Sequence, residues 1–189
     1  MDALLGLGEV RIDGIICPGH VSTIIGMKPY IPIAKKYKIP HVIAGFEPLD
    51  VLLAVYMIAK QVDEGRYDVE NEYIRCVKEE GNKKAIEALN EVFEPIDAKW
   101  RGFPLIKNSK MKIKSKFENH DAEKLYEDEL NIEEPEEPKG CRCGEVLRGI
   151  IYPKECPLFG KICTPSNPVG PCMVSVEGAC NIEYRYKND

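Results

Sequence analysis

Apolar and polar positions along the first hundred residues fall into blocks of changing period, and the blocks read as strands and helices. Residues 11–17 (RIDGIIC) form a short apolar run closed by Pro18-Gly19, which suits a buried strand. Residues 21–37 have helical spacing, with Ser22 or Thr23 available as a cap. Pro29 and Pro32 interrupt that spacing, so two short pieces are expected. Residues 40–46 (PHVIAGF) repeat the strand pattern. Residues 47–62 are strongly apolar at helical period: Leu49, Leu52, Leu53, Tyr56 and Met57 share one face, widened by Val51, Val55 and Ile58. The pattern predicts a helix sunk in a core, each such side chain stabilising by about 1.5–3 kcal/mol when buried. Asp68 is placed to cap a helix running to Glu80, with Cys76 in its core face, and residues 83–93 make another after Gly81-Asn82. Strand–helix alternation implies an α/β fold with a parallel, Rossmann-like sheet. Two strands are too few for such a sheet, whose faces both need cover. The expectation is therefore a partial α/β unit, completed by another chain or by an N-terminal portion that this sequence lacks.

Further along, Lys110, Lys112, Lys114 and Lys116 alternate with Met111, Ile113 and Phe117, as in a solvated edge strand. Trp100 reads as a core anchor. Residues 118–137 carry ten acidic side chains against Lys124 alone, which predicts a short helix near 121–130 and then a solvated linker ended by Pro135 and Pro138. From Gly140 the composition turns to Cys, Pro and Gly. Three segments follow: a partial α/β domain at 1–117, an acidic helix or linker at 118–139, and a small cysteine-rich domain at 140–189.

Composition narrows the functional classes. With 189 residues, 44% hydrophobic and 30% charged, the chain is not a disordered one. No apolar run reaches the roughly 18 residues that span a bilayer, and the first residues lack the basic and apolar regions of a signal peptide. A net charge of -5 argues against a nucleic-acid groove. The expected compartment is a reducing cytoplasm, with neither membrane nor nucleic acid as partner.

The eight cysteines carry most of the chemistry. Cys17 and Cys76 stand apart, whereas Cys141, Cys143, Cys156, Cys163, Cys172 and Cys180 crowd the last segment. Counted from Cys143, the spacing through Cys156, Cys163 and Cys180 is C-x12-C-x6-C-x16-C, with Cys141 and Cys172 as extras. Four soft thiolates on loops suit an iron–sulfur cluster or zinc. The segment has no C-x2-C pair and no His, which weighs toward a cubane cluster whose irons take ligands from separate loops. Disulfides or free thiols are the remaining reading. Pro157, Pro165, Pro168 and Pro171 stiffen those loops and reduce the entropy lost on binding.

Two further constellations fall at predicted strand ends, where ligands gather in open α/β sheets. In Cys17-Pro18-Gly19-His20-Val21-Ser22, His20 can act as acid, base or ligand, or can simply bond a backbone carbonyl. In Gly45-Phe46-Glu47-Pro48, Glu47 can orient His20, accept a proton, or cap the following helix. An unrelated thiol-dependent oxidoreductase working through Cys17 is a third, weaker reading.

Taken together, PGHVSTIIG at 18–26, AGFEPLDVL at 44–52, VENEYIR at 69–75, CGEVLRG at 143–149 and CPLFGKICTPSNPVGPCMVSVEGAC at 156–180 resemble the HypD family of hydrogenase maturation proteins, in the family's order from Ala3 to Tyr186. The resemblance implies a maturation factor for [NiFe] hydrogenase. Such a factor works with a HypC-type chaperone and HypE to assemble the Fe(CN)2CO unit. A [4Fe-4S] cluster is the electron source, and iron carrying cyanide and carbon monoxide is bound transiently. Carried over, the cluster ligands are Cys143, Cys156, Cys163 and Cys180. Cys141 is the alternative to Cys143, and Cys172 is a buried neighbour or relay thiol. His20 and Glu47 then line a cleft. The family's Cys-Pro-x-Cys segment has no counterpart in this sequence, so Met1 is expected to match an internal position of longer members.

Overall fold

The structure is a computed structural model describing residues 1–100, 103–129 and 138–186. A single turn, α1 (Asp2–Leu5), opens the chain. The chain forms two compact units, one from residues 1–2 and 12–93, the other from residues 3–11 and the described residues from 94 onward. Among the described residues no helix is long and apolar enough to cross a membrane.

The first unit is a three-stranded parallel sheet of β1 (Ile15–Pro18), β2 (His41–Ala44) and β3 (Val69–Asn71), in that order. Between β1 and β2 run α2 (Gly19–Ile25), a 3-10 turn (Lys28–Tyr30) and α3 (Ile31–Tyr37). Between β2 and β3 runs α4 (Pro48–Asp63), and α5 (Lys83–Val92) follows β3. All four residues of the central strand β2 are buried. Successive strand residues face opposite ways, so Val42 and Ala44 meet Ala54, Met57 and Ile58 of α4. Ile43 and Cys17, opposite each other in register, pack with Tyr30 and Val77 on the other face.

The prolines behave as the sequence predicts, with a refinement. Pro29 and Pro32 each fall in the first turn of a new helical piece, where the missing N–H has no partner to lose. The first piece starts at Gly19, so Ser22 lies inside α2 rather than capping it. Its hydroxyl is fully buried, donating to Pro18 O at 2.8 Å and bonding the Tyr30 hydroxyl at 3.0 Å.

Three sequence expectations are corrected in this unit. Residues 69–80 are not a helix: the first three pair with β2 as the third strand, and the rest form turns that leave Cys76 exposed. A polar strand of three residues has too few positions to show a period of two, so the capping pattern at Asp68 dominated. The helix at 48–63 exists, but its buried positions are Asp50, Ala54 and Gln61. Leu49 and Leu52 are 64% and 67% exposed, and Tyr56 is 64% exposed.

The second unit holds all but the first residue of β4 (Phe93–Lys99), which is paired to β5 (Leu105–Ile113). Asn108 takes a left-handed φ of 52° within β5, and the alternation read from the lysines fails further on, where Met111 is 47% exposed and Ser115–His120 turn as a 3-10 helix. Trp100 is half exposed, not a core anchor, and its indole N–H donates to Ser109 Oγ at 2.8 Å. The predicted acidic helix is one turn, α6 (Ala122–Leu125), with the Asp121 carboxylate accepting from the Glu123 N–H. Residues 130–137, on which most of the expected acidic linker falls, lie outside the described residues. The cysteine segment folds as three short helices joined by turns: α7 (Cys143–Leu147), α8 (Pro171–Val174) and α9 (Ala179–Arg185). Arg148 ties residues 7–11 to it. Its guanidinium donates to the carbonyls of Gly144 and Glu9 at 3.0 and 3.3 Å, and its own carbonyl accepts from the Arg11 N–H at 2.8 Å.

Candidate functional site

In the first unit the carboxyl ends of all three strands deliver polar side chains to one place. Tyr73, just past β3, lies across the ends of β1 and β2. A methyl group on Gly19 would sit 2.8 Å from its ring, and one on Gly45 also 2.8 Å from it. Both glycines are therefore needed for the ring to reach across. Arg75 stacks over Tyr73 with 4.4 Å from guanidinium carbon to ring centroid. Its Nη2 donates to Asp50 Oδ2 at 2.6 Å and approaches Glu47 Oε2 at 3.5 Å. The Asp50 side chain is only 4% exposed, and the hydrogen bond from Arg75 holds its carboxyl below the usual carboxylate range. Glu47 and Asp50 form a reciprocal capping box: the Glu47 carboxylate accepts from the Asp50 N–H, and the Asp50 carboxylate accepts from the Glu47 N–H.

His20 and Glu47 thus both lie at strand ends, where the sequence puts them. The exposed His20 ring packs against Phe46, with centroids 5.2 Å apart. Glu47 is engaged by the helix cap and by Arg75. Asp50, Tyr73 and Arg75 are the polar residues that sequence reasoning missed. The signal for Asp50 was present, since an acid three residues after Glu47 at a helix start is a capping-box pattern. Nothing in the local sequence shows that Arg75 returns to it. Cys17 lies fully buried beneath, and burial pushes its thiol up to about 12, the wrong direction for a nucleophile.

In the second unit the cysteine segment encloses a core made largely of sulfur. Cys143, Cys163, Cys172 and Cys180 are buried together with Met173 and Val146, and Cys141, Leu158, Phe159 and Val169 pack against them. Cys156 is also buried, and all eight cysteines of the chain are free thiols. The Sγ atoms of Cys143, Cys172 and Cys180 lie within 4.8 Å of one another. These residues stand in the first turns of α7, α8 and α9, so the three sulfurs come together from three separate short helices. The Cys172 N–H donates to Cys143 Sγ, and the Val169 N–H donates to Cys163 Sγ, both at 3.4 Å. Gly170 fits because it has no side chain: a methyl there would lie 2.4 Å from Cys141 Sγ and 2.7 Å from Cys143 Sγ.

The bond with Cys143 and then burial push the Cys172 thiol up to about 12, and Cys143 and Cys180 are raised with it. A buried cluster of neutral thiols is stable only while protons remain, and a soft cation supplies the charge that lets them leave. Of the four cysteines singled out by spacing, Cys143 and Cys180 belong to the close triad, Cys163 lies in the same core, and Cys156 is buried in the turn after Pro153–Glu155. The third member of the triad is Cys172, which spacing treats as an extra.

Comparison with known proteins bears on both places. The family model HypD, described as the hydrogenase formation hypA family, matches residues 1–187. The chain is 56% identical over 189 residues to a putative hydrogenase expression/formation protein of Methanocaldococcus jannaschii, covering 99% of this chain and 51% of that one. It is 47% identical over 182 residues to hydrogenase maturation factor HypD1 of Bradyrhizobium diazoefficiens, and 45% identical over 180 residues to hydrogenase maturation factor HypD of Cupriavidus necator. Each of those matches covers 95% of this chain and 47% of the relative. The chain spans about half the length of the curated relatives it matches.

Proposed function

The chain belongs to the HypD family, and from that membership we propose that it serves [NiFe]-hydrogenase maturation as a redox scaffold. The cysteine unit holds a [4Fe-4S] cluster through Cys143, Cys156, Cys163 and Cys180, with Cys141 as the alternative to Cys143. The strand-end crevice, lined by His20 and Glu47, receives iron bearing cyanide and carbon monoxide as cargo, delivered by HypC- and HypE-type partners.

One observation carries this reading: four buried thiols and a partly buried fifth, Cys141, pack in a single core, Cys156 is buried as well, and no disulfide joins any of them. The wide spacing of those thiols fits a cluster with several irons, four of which take one thiolate each from separate loops. A cluster held there would supply single electrons. The chain's own residues do the rest. Amide hydrogen bonds to Cys143 and Cys163 draw electron density from the sulfurs, Phe159 and Val169 keep water from them, and Gly170 leaves them room. At the strand ends, Phe46 packs against one side of the exposed His20 ring.

The test is anaerobic purification with iron, acid-labile sulfide and zinc counted on one sample. About four irons and four sulfides per chain are expected, the stoichiometry of a cubane, with visible absorption that bleaches on reduction. Cys156→Ala should bring iron well below that value. A colourless, zinc-loaded protein would overturn the cluster.

A second reading rests on the triad. Sulfurs about 2.3 Å from one zinc ion stand roughly 3.8 Å apart, and the three Sγ atoms within 4.8 Å approach that spacing. On this reading Cys143, Cys172 and Cys180 grip a structural ion, and the unit is a docking module without electron transfer. Loss of zinc from Cys172→Ser, with Cys156→Ala unaffected, is the result that favours it.

A further inference from the structure

Helix α5 (KKAIEALNEV) buries none of its residues, although half of them are apolar. Its start is pinned to the end of α2. The Asn82 N–H donates to Ile24 O at 2.9 Å, and Asn82 Oδ1 caps the helix by accepting from the Ala85 N–H at 3.2 Å. At about 3.6 residues per turn, Ala85, Ala88, Leu89 and Val92 fall on one side, with Ile86 at its margin. A surface helix turns such a stripe to the core. Here the stripe borders a groove of about 450 Å³ lined by Ile24, Ala85, Ala88, Leu89, Val92 and Phe93, every one of them apolar. Ala88 and Leu89, at the middle of the helix, are exposed. Charge along the margin of the stripe is arranged end to end. Lys84 and Glu91 are seven residues apart, so they stand two turns from each other on the same flank.

We propose that α5 is a self-association surface, on which a second copy of this chain lays its own α5 antiparallel, the apolar side chains of each helix filling the groove of the other. The occupant follows from the charges. A two-fold axis crossing the helix between Glu87 and Ala88 sets Lys84 beside Glu91 of the second copy, and Glu91 beside its Lys84, so the surface is complementary to itself, as a two-fold interface requires. A parallel copy turns Lys84 toward the opposite flank, where Ile86 and Asn90 stand, and makes no such pair. A carboxylate offers roughly four acceptor sites, so Glu91 can take the Lys84 ammonium beside the contact it has in its own chain. Ala85 and Ala88 on the contact side are small enough for the axes to approach to about 8 Å. The inference rests on α5 alone, and stands whether the cysteine unit holds iron–sulfur or zinc.

The experiment takes the full chain, kept reduced because the exposed Cys76 thiol would otherwise cross-link copies, and reads its mass by light scattering after size exclusion over a dilution series. Two chains per particle are expected at the top of the series and one at the bottom, with a dissociation constant on the order of 10 µM, as suits a single short helix pair. Lys84→Glu and Glu91→Lys should each weaken pairing roughly tenfold, because each sets like charges together at two symmetric places. The double swap, Lys84→Glu with Glu91→Lys, should restore it. Mixed one to one, the two single variants should pair with each other, since every flanking contact between antiparallel helices then joins opposite charges. Both positions are exposed, so these substitutions leave the fold intact. Leu89→Glu should give single chains at every dilution. Four results overturn the proposal: a wild-type chain that never pairs, a pair that Leu89→Glu leaves intact, single charge variants that pair as tightly as the wild type, or single variants that stay apart when mixed.

Discussion

Single residues at the strand ends show how much of the first unit depends on buried polar groups being matched. Asp50 is buried against Arg75, and the guanidinium holds its carboxyl below the usual range. The sign of the linkage follows. The folded carboxyl is the stronger acid, so the pair's contribution is complete well above pH 3.8, the ordinary value, and is lost as pH falls through the lowered one. Arg75→Gln should lower the melting temperature at neutral pH and flatten the acid limb of the stability curve. Equal losses at pH 7 and pH 3 would contradict the pairing. His41 titrates in the range above. It is fully buried, with Nδ1 bonded to Ile39 O at 2.8 Å and Nε2 without a partner, and burial lowers its pKa below 6.5. Folding therefore favours the neutral ring, and stability should decline as pH drops below 6.5, where the unfolded chain takes up the proton. His41→Leu should remove that slope, which denaturant titrations at several pH values between 4.5 and 7.5 would reveal. Gly45→Ala tests the packing. The added methyl would lie 1.9 Å from Asp50 Oδ2, so the buried pair must move, at a cost of about 1–3 kcal/mol.

At the scale of elements, periodicity and helix-end signals were enough to find α2, α3, α4 and α5, each about two turns or longer. It could not say which side of α4 faces the sheet. The side with the larger residues, Leu49, Leu52 and Tyr56, is outward, and the side with Ala54 packs on β2, where a small residue lets the helix approach. Gly14 does the same at the start of β1, since a methyl there would meet Ile58 Cγ2 at 2.2 Å. The third strand was hidden for a different reason. Val69, Glu70 and Asn71 become a strand because β2 offers a ladder to pair with, which is a tertiary fact and not a local preference. Arg148 is a comparable case in the second unit. The CGEVLRG motif is visible in sequence, but the reach of its arginine to the carbonyl of Glu9 is not. Arg148→Ala should leave β2 protected while residues 7–11 and α7 exchange their amides faster. Unchanged exchange there would show that the arginine ties nothing.

Across the whole molecule the two units draw on different sources of stability, and that difference can be measured. The first has a hydrocarbon core around β2, where Val42, Ile43, Cys17 and Ala54 are fully buried. The second buries Cys143, Cys163, Cys172, Cys180, Met173 and Val146 as its main cluster, so its interior is mostly thiol. The cysteine spacing made that unit legible as a gathering of thiols that could hold a metal. Which sulfurs approach one another was not legible, because α7, α8 and α9 bring Cys143, Cys172 and Cys180 together from positions far apart in the chain. Thiol groups pack as small hydrophobes but contribute less burial than leucines, so the free energy of a metal held at the thiols would become folding free energy for this unit. If the thiols hold a metal as proposed, removing it anaerobically with a chelator should raise amide exchange at 143–147, 171–174 and 179–185 by an order of magnitude or more. Exchange at 41–44 should stay as it was. Gly170→Ala should mimic the loss without any chelator, since its methyl would occupy the space beside the sulfurs of Cys141 and Cys143. If both units loosen equally on metal removal, the sulfur core is not an independent source of stability, and the helices around it are held by something other than the thiols.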